Sequence, residues 1–257
     1  MLKSLPESRF SHIDPNGFFI HLKRYKHSAD VSVSISRITQ MKVKIWSDVM
    51  CPFCYIGKRR FENALKDFPN NSEIEIEWKS FLLNPAIRTH PGKNINQYLS
   101  ETKGWSLEEA KQANNYVTKM AKEVGLNYDF NKAVVANTFD AHRLIQLAKG
   151  NNKSDETEER LFKAYFIEGK NIADHDTLIA LGSEAGLPVE AIKRMLNSDE
   201  YADNVKNDVN EANQIGIRGV PYFVFNDQYA VSGAQRTETF LDLLNKAWHE
   251  WKTVSLN

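Results

Sequence analysis

"KVKIWSDVMCPFCYIGKRRFENAL", Lys42 to Leu65, holds both cysteines of the chain, Cys51 and Cys54, two residues apart. "KVKIW" alternates polar and apolar, the period of a half-buried strand. A turn follows at Ser47 to Met50. From Cys51 to Phe68 the pattern is helical, with Pro52 in the first turn, where a missing amide N–H costs nothing. Phe61, Leu65 and Phe68 recur at helical spacing. "PNN" ends the helix, and "EIEIEW" alternates again as a second strand. The unit is βαβ, with parallel strands.

Three readings of the sulfurs compete. A structural zinc site wants four ligands, and no second cysteine pair exists, while His90, His142 and His175 are scattered. Inert core thiols are the bland alternative. A redox couple needs a thiolate, and a free thiol is only a few per cent ionised at neutral pH. Cys51 stands where the helix begins, and unpaired amide N–H groups and the helix dipole favour an anion there by roughly 0.3–1 kcal/mol. Cys54 lies a turn further in, more buried. Cys51 then attacks or is attacked, and Cys54 resolves the mixed disulfide.

Outward from this unit the organisation is regular. Residues 91 to 214 read as helices with no convincing strand. Ser106 and Glu109 form a capping-box pair at the start of one of them. Near the C-terminus, "YFVF" and "QYAV" flank Asn226-Asp227, a hairpin turn. "TETFLDLLNKAWHEW" puts Phe240, Leu244, Trp248 and Trp251 on one helical face. The βαβ and ββα pieces are each too small to fold alone and must share a sheet. The expected division is 41–90 plus 215–257 as one domain and 91–214 as an inserted helical domain. Residues 1–40 carry no sustained period and read as a disordered extension or a non-native start.

Charge and composition limit the partners. Lys and Arg total 33 against 33 Asp and Glu, so no basic field points to nucleic acid or an anionic membrane. No apolar run approaches the roughly 18 residues of a membrane span, and no secretory h-region is visible. Two cysteines are no disulfide scaffold, and the expected compartment is the cytoplasm, where a C-x-x-C pair points to catalysis.

"CPFC" after a strand and "GVP" before one make the chain resemble the thioredoxin superfamily. The long helical insertion resembles the DsbA branch. "WSDVMCPFCYIGKRRFE", "ANTFDAHRLI", "GVPYFVFN" and "YAVSGAQ" are similar to the cytoplasmic FrnE-like DsbA-family oxidoreductases, over 41 to 250. The fold class this implies is α/β: a thioredoxin fold interrupted by a large all-helical insertion.

The resemblance implies further site residues. Pro221 should follow a cis peptide bond and lie against the sulfurs, with Val220 facing Cys51; sequence alone favours an ordinary trans proline opening a strand. Pro52 and Phe53, between the cysteines, join the substrate surface. Asn137 and His142 carry over as cleft residues, with Arg143 beside them, although a histidine in a helix is as readily structural. Ser232, Gly233 and Gln235 match a turn that helps hold glutathione in the kappa-type transferases and hydroxychromene-carboxylate isomerases; the alternative is a plain turn and helix cap. Those relatives usually carry serine where Cys51 stands here. The superfamily also uses a buried ionisable group for proton transfer; Glu75, Glu77 and Lys79 share one strand face that looks exposed, so none is assigned. "GKRR", Gly57 to Arg60, reads as a solvated helix face.

The activity implied is thiol–disulfide exchange on protein or small-molecule thiols and disulfides. No cofactor or metal is required, and glutathione is admitted as a co-substrate. The rivals are a glutathione-dependent transferase or isomerase and a redox-sensing or chaperone-like binding protein. A monomer and a homodimer are both compatible with the sequence.

Overall fold

Strand β3, Met41–Ser47, is the centre of the molecule. In this computed structural model, residues 11–13, 19–21 and 40–255 are described. Met41, Val43 and Ile45 alternate onto one face and are fully buried. The helix α1, Pro52–Asp67, then carries the chain to β4, Ile74–Ser80, parallel to β3 from Met41↔Ile74 to Ser47↔Ser80. The crossover read from sequence is therefore present.

The other half of the sheet comes from the far end of the chain. Strand β7, Tyr222–Phe225, is antiparallel to β3, and β8, Tyr229–Ser232, is antiparallel to β7, giving the order β4-β3-β7-β8. Asn226 and Asp227 both have positive φ, 49° and 52°, as a tight hairpin turn needs in order to follow the strand twist. The last helix, α9, Thr237–Ser255, packs beside α1. Phe61 of α1, Phe223 of β7 and Phe240 of α9 meet with ring centroids 4.5–5.6 Å apart. Strand β1, Ser11–Ile13, pairs with β2, Phe19–His21, which lies beside β8. The remainder of 1–40, and with it the expectation of disorder, falls outside the described residues.

Between β4 and β7 the chain is mainly helical. The helices are α2, Ile95–Lys103; α3, Leu107–Glu123; α4, Phe139–Lys149; α5, Ser154–Lys163; α6, His175–Glu184; α7, Val189–Leu196; and α8, Ala202–Gln214. Ser106 and Glu109 make the reciprocal bonds of the capping box at α3. One correction applies to an insertion read as entirely helical. Strand β5, His90–Asn94, pairs with the two residues of β6, Val134–Val135. A two-residue strand is too short to leave an alternating pattern in sequence. A second departure is that α5 runs directly into a π-helical turn, Ala164–Glu168.

The helical segment closes on the sheet at two places. Helix α8 covers the second face, where its Ala212 packs with Trp46 and Ile217. Lys79 of β4 is held there by Asp208 and Glu211 of α8, both at 3.0 Å. Glu77 and Lys79 are thus half-buried partners in a structural ion network, and Glu75 is exposed. On the other side, Tyr55 of α1 stacks on Phe162 of α5 at 4.9 Å.

Candidate active site

Cys51 is the N-cap of α1, with extended φ and ψ of −87° and 112°, and Pro52 opens the helix. Its amide donates to the Asp48 carbonyl (2.8 Å), and the Cys54 amide donates to the Cys51 carbonyl (3.0 Å). These bonds wind the turn so that both sulfurs fall on one side. Both thiols are free and buried, Cys51 4% exposed and Cys54 1%.

From the opposite side comes the loop that opens β7. The Val220–Pro221 peptide is cis. The Cys51 thiol donates to the Val220 carbonyl at 3.4 Å, so Val220 faces Cys51. Gly57 makes this approach sterically possible: a Cβ there would lie 3.0 Å from Pro221 Cγ and 3.6 Å from Ala234 Cα.

Behind Cys51 the environment is closed and polar. Burial pushes the Cys54 thiol well up, and Cys51 beside it adds to the effect; the Asp48 backbone and the Ser47 side chain offset part of this through hydrogen bonds. Ser47 Oγ donates to Glu158 Oε1 at 2.7 Å. Glu158, from α5, is 1% exposed, and burial pushes its carboxyl up to about 7, although the charges of His142 and Lys58 and the Ser47 bond pull the other way. His142 Nε2 lies 3.4 Å from Asp48 Oδ1 without hydrogen-bond alignment. Cys54, Ser47, Glu158, His142 and Asp48 thus form one buried cluster that no sequence pattern joins.

Asp48 also shapes the front. Its carboxylate accepts from the amides of Met50 (3.3 Å) and Leu83 (2.8 Å), holding the cysteine turn against the loop after β4. Tyr128 donates to the Pro52 carbonyl at 2.8 Å. In front of Cys51 opens a cavity of about 610 Å³, lined by Pro52, Phe53 and Val220 and by α2, α3 and the π-helical turn.

The remaining expected residues take other places. Asn137 and His142 are not among the residues lining this cavity. The Asn137 amide group donates to the Ile87 carbonyl and its oxygen caps the Phe139 amide, so it fixes a loop. His142 sits behind the cysteines rather than in the cleft. Arg143 donates to the carbonyls of Met195, Ser198 and Glu200. Ser232, Gly233 and Gln235 form a turn closed on itself: Gln235 Nε2 donates to the Ser232 carbonyl (2.7 Å) and the Gly233 amide to the Pro221 carbonyl (2.8 Å). That turn supports Pro221 and does not line the cavity. Lys58 is not solvated. It is 2% exposed and paired with Glu62, Asp155 and Glu159; burial alone would lower its pKa, but these carboxylates raise it on balance.

Comparison with known proteins follows the same lines. A family model described as a DSBA-like thioredoxin domain matches residues 42–245. A probable DsbA oxidoreductase of Streptomyces coelicolor is 36% identical, with a TM-score of 0.77 over 82% of this chain and 91% of its own. The uncharacterized protein YwbO of Bacillus subtilis (strain 168) is 30% identical over 200 residues, 77% of this chain and 92% of that protein. The cytosolic disulfide reductase DsbM of Pseudomonas aeruginosa superposes with a TM-score of 0.54 over 82% of this chain and 97% of its own; at 15% identity that likeness concerns the fold alone.

Proposed function

The chain belongs to the DSBA-like thioredoxin domain family, and from that premise we propose that it is a dithiol–disulfide oxidoreductase of the FrnE-like branch, working in the cytoplasm. The observation that carries this reading is the asymmetry of the two sulfurs. Cys51 sits at a helix N-terminus against the Val220 carbonyl and opens on a cavity, while Cys54 is sealed behind it beside the Ser47 hydroxyl, which donates to the Glu158 carboxyl.

The chemistry balances with these groups alone. The Cys51 thiolate attacks a substrate disulfide; one S–S bond forms, one breaks, and the leaving sulfur departs as thiolate. Cys54 gives up its proton and attacks Cys51 Sγ, which releases the second substrate thiolate and leaves the Cys51–Cys54 disulfide. Two electrons pass to the substrate. Run backwards, the same steps oxidise a dithiol. An external thiol, glutathione included, returns the pair to the reduced state.

The test is equilibration against glutathione buffers with alkylation of free thiols. The expected result is an internal Cys51–Cys54 disulfide with a two-electron midpoint, within the roughly −270 to −120 mV spanned by such pairs. A low midpoint assigns a reductase, a high one an oxidase. Formation of only a Cys51–glutathione adduct overturns the reading in favour of a glutathione-dependent transferase or isomerase. A Cys54→Ser variant gives the same separation kinetically, because it should capture substrate and fail to release it.

A further inference from the structure

Helix α3 carries a polar stripe. In "LEEAKQANNYVTKMAKE", Lys111, Asn114, Asn115 and Thr118 recur at i, i+3, i+4 and i+7, the spacing of one helical face. Two successive asparagines are poor choices inside a helix, because their side chains compete for the backbone. All four residues line a second cavity, of about 420 Å³. Asn96, from the first turn of α2, and the segment 128–131 complete its wall. Asn114 and Phe130 line both this cavity and the chamber at Cys51, so the two adjoin.

The two cavities differ in chemistry. Apart from the Tyr128 and Phe130 rings, every side chain on this wall is polar, and four are asparagines: Asn96, Asn114, Asn115 and Asn131. Asn96 and Asn114 are the buried pair, 5% and 7% exposed, and Asn114 Nδ2 donates to Asn96 Oδ1 at 2.7 Å. A carboxamide has two donor hydrogens and an acceptor oxygen. Their one mutual bond leaves Asn96 Nδ2 and Asn114 Oδ1 with no protein partner. Neither is among the fully enclosed unpaired atoms, so both keep accessible surface. Asn96 does not line the chamber at Cys51, and its free amide therefore serves this cavity. Turning both carboxamides over exchanges the two ends and still leaves one donor beside one acceptor.

Charge and size narrow the ligand. Lys111 has no ion-pair partner among the described residues, but the Asp129 carboxylate shares its wall, so an anion gains from one and loses to the other. A cation fares no better, because Asp129 is already engaged: Oδ2 pairs with Lys132 at 3.1 Å and Oδ1 accepts from the Asn131 amide at 3.2 Å. An apolar ligand would strand the free donor and acceptor. The volume falls in the range of whole low-mass ligands, ~300–1,000 Å³, and exceeds what one hydroxyl or amide fills. Tyr128 and Phe130 meet at 81° with centroids 5.6 Å apart, an apolar corner for the C–H face of a saturated ring. We propose that this cavity is a binding site for a neutral, polyhydroxylated ring, a sugar. One hydroxyl accepts from Asn96 Nδ2, its neighbour donates to Asn114 Oδ1, and the exposed Asn115 and Asn131 take others at the mouth. The site goes beyond the exchange reaction and needs no redox step. Tyr128 nevertheless ties it to the cysteine turn, because it lines this cavity and donates to the Pro52 carbonyl at 2.8 Å.

The experiment titrates the reduced, full-length protein with the methyl pyranosides of glucose, galactose and mannose, following the asparagine side-chain amides by NMR. Three controls are tetrahydropyran-2-methanol, which keeps the ring and one hydroxyl, N-acetylglycinamide and inorganic phosphate. At least one glycoside should bind with a Kd on the order of 1 mM, ordinary for a ligand of that size, shift the Asn96 and Asn114 amides, and bind at least about tenfold tighter than every control. Asn96→Leu combined with Asn114→Leu removes donor and acceptor together, a change that costs a fold little, and should weaken the glycoside about tenfold. Asn115→Ala, on the exposed rim, should weaken it about threefold and serves if the double variant does not fold. The disaccharide that extends the best glycoside separates two sources, both of which uphold the site: equal affinity assigns a free sugar, tighter binding the end of a longer chain. No saturable shift with any glycoside overturns the proposal. So does a control that binds as tightly, the amide included, or an undiminished affinity in every folded variant. Binding is read without disulfide chemistry, so failure of the Cys51–Cys54 couple would leave this result standing.

Discussion

Ser47 and Glu158 lie 111 residues apart in the chain and 2.7 Å apart in the fold, the hydroxyl donating to the carboxylate. The serine ends the central strand and contacts Cys54; the glutamate comes from α5. A buried thiol that must lose its proton to close a disulfide has, in this pair, a two-step route to an acceptor. The acceptor titrates near neutrality because burial pushes its carboxyl up to about 7.

The first prediction is kinetic. Glu158→Gln keeps the shape and removes the base. Closure of the Cys51–Cys54 disulfide from the mixed disulfide should slow by about 100-fold, the lower end of what a positioned base contributes. Capture of substrate by Cys51 should be unchanged. In the wild type the closure rate should rise through pH about 7, and in Glu158→Gln that inflection should vanish. Stopped-flow measurement of the second thiol released decides it; a variant that closes at the wild-type rate, with the inflection intact, removes Glu158 from the route.

The same group predicts a pH dependence of stability. Glu158 titrates near 7 in the folded state against an ordinary value of 4.5. Below about 4 it is protonated in both folded and unfolded chains. Between about 4.5 and 7 the unfolded chain releases the proton and the folded chain keeps it, so stability falls as pH rises. At ~1.4 kcal/mol for each pH unit of that gap, the loss from this group is about 3 kcal/mol above neutrality. Urea denaturation of the reduced protein near pH 5 and near pH 8 should show the wild type losing about that much relative to Glu158→Gln. Parallel curves for the two proteins would show that the carboxyl is not held neutral.

Much of this site was legible in the residues and part was not, for a physical reason. The C-P-F-C turn, the parallel crossover and the Asn226-Asp227 hairpin depend on neighbours within a few positions, so spacing reveals them. Glu158 depends on a contact across 111 residues and sits in "SDETEERLFK", where it looks like its five charged neighbours. A weak signal existed, since Glu158 stands three and four residues before Leu161 and Phe162 on the buried face of α5. Lys58 offered the same signal, in phase with Cys54 and Phe61 on α1. In both, the charge masks the helical phase. Asn137 and His142 failed differently: the motif around them was legible, but its work here is to fix a loop and fill the cluster behind the sulfurs.

Gly57 supplies a steric prediction. Its missing Cβ lets Pro221 and Ala234 approach α1, and the Arg60 guanidinium donates to the Ala234 carbonyl at 2.7 Å. Gly57→Ala should gain up to ~1 kcal/mol of helix propensity and lose about 1–3 kcal/mol to overpacking. The displaced Pro221 loop carries Val220 away from Cys51, so kcat/KM should fall by about tenfold, within the cost of a misplacement of an ångström or less. Turnover at the wild-type level, together with raised stability in chemical denaturation, would show that the loop yields without disturbing the sulfur.

Arg143 gives the contrasting case, a residue of a site-like motif whose work is structural. Its guanidinium donates to the carbonyls of Met195, Ser198 and Glu200 and to Asp140 Oδ1. Met195 lies in the last turn of α7, and Ser198 and Glu200 follow it, so one side chain ties down the segment that leaves the helix; the Met195 carbonyl also accepts from the Ser198 amide and hydroxyl. It is 5% exposed, and deleting it takes the charged donor from the Ser198 and Glu200 carbonyls. Arg143→Ala should cost about 3 kcal/mol, since each hydrogen bond to a charged group contributes ~1.5–3 kcal/mol and water recovers part of the loss. For a chain of this size that is a fall in Tm of roughly 6–12 °C. Arg143→Lys should recover little of it, because a single ammonium cannot span carbonyls that a planar guanidinium reaches in fixed directions. Disulfide turnover per folded molecule should match the wild type in both variants. A Tm within about 2 °C of wild type for Arg143→Ala would mean that the α7 carbonyls find other partners, and turnover lost with stability intact would return Arg143 to the site.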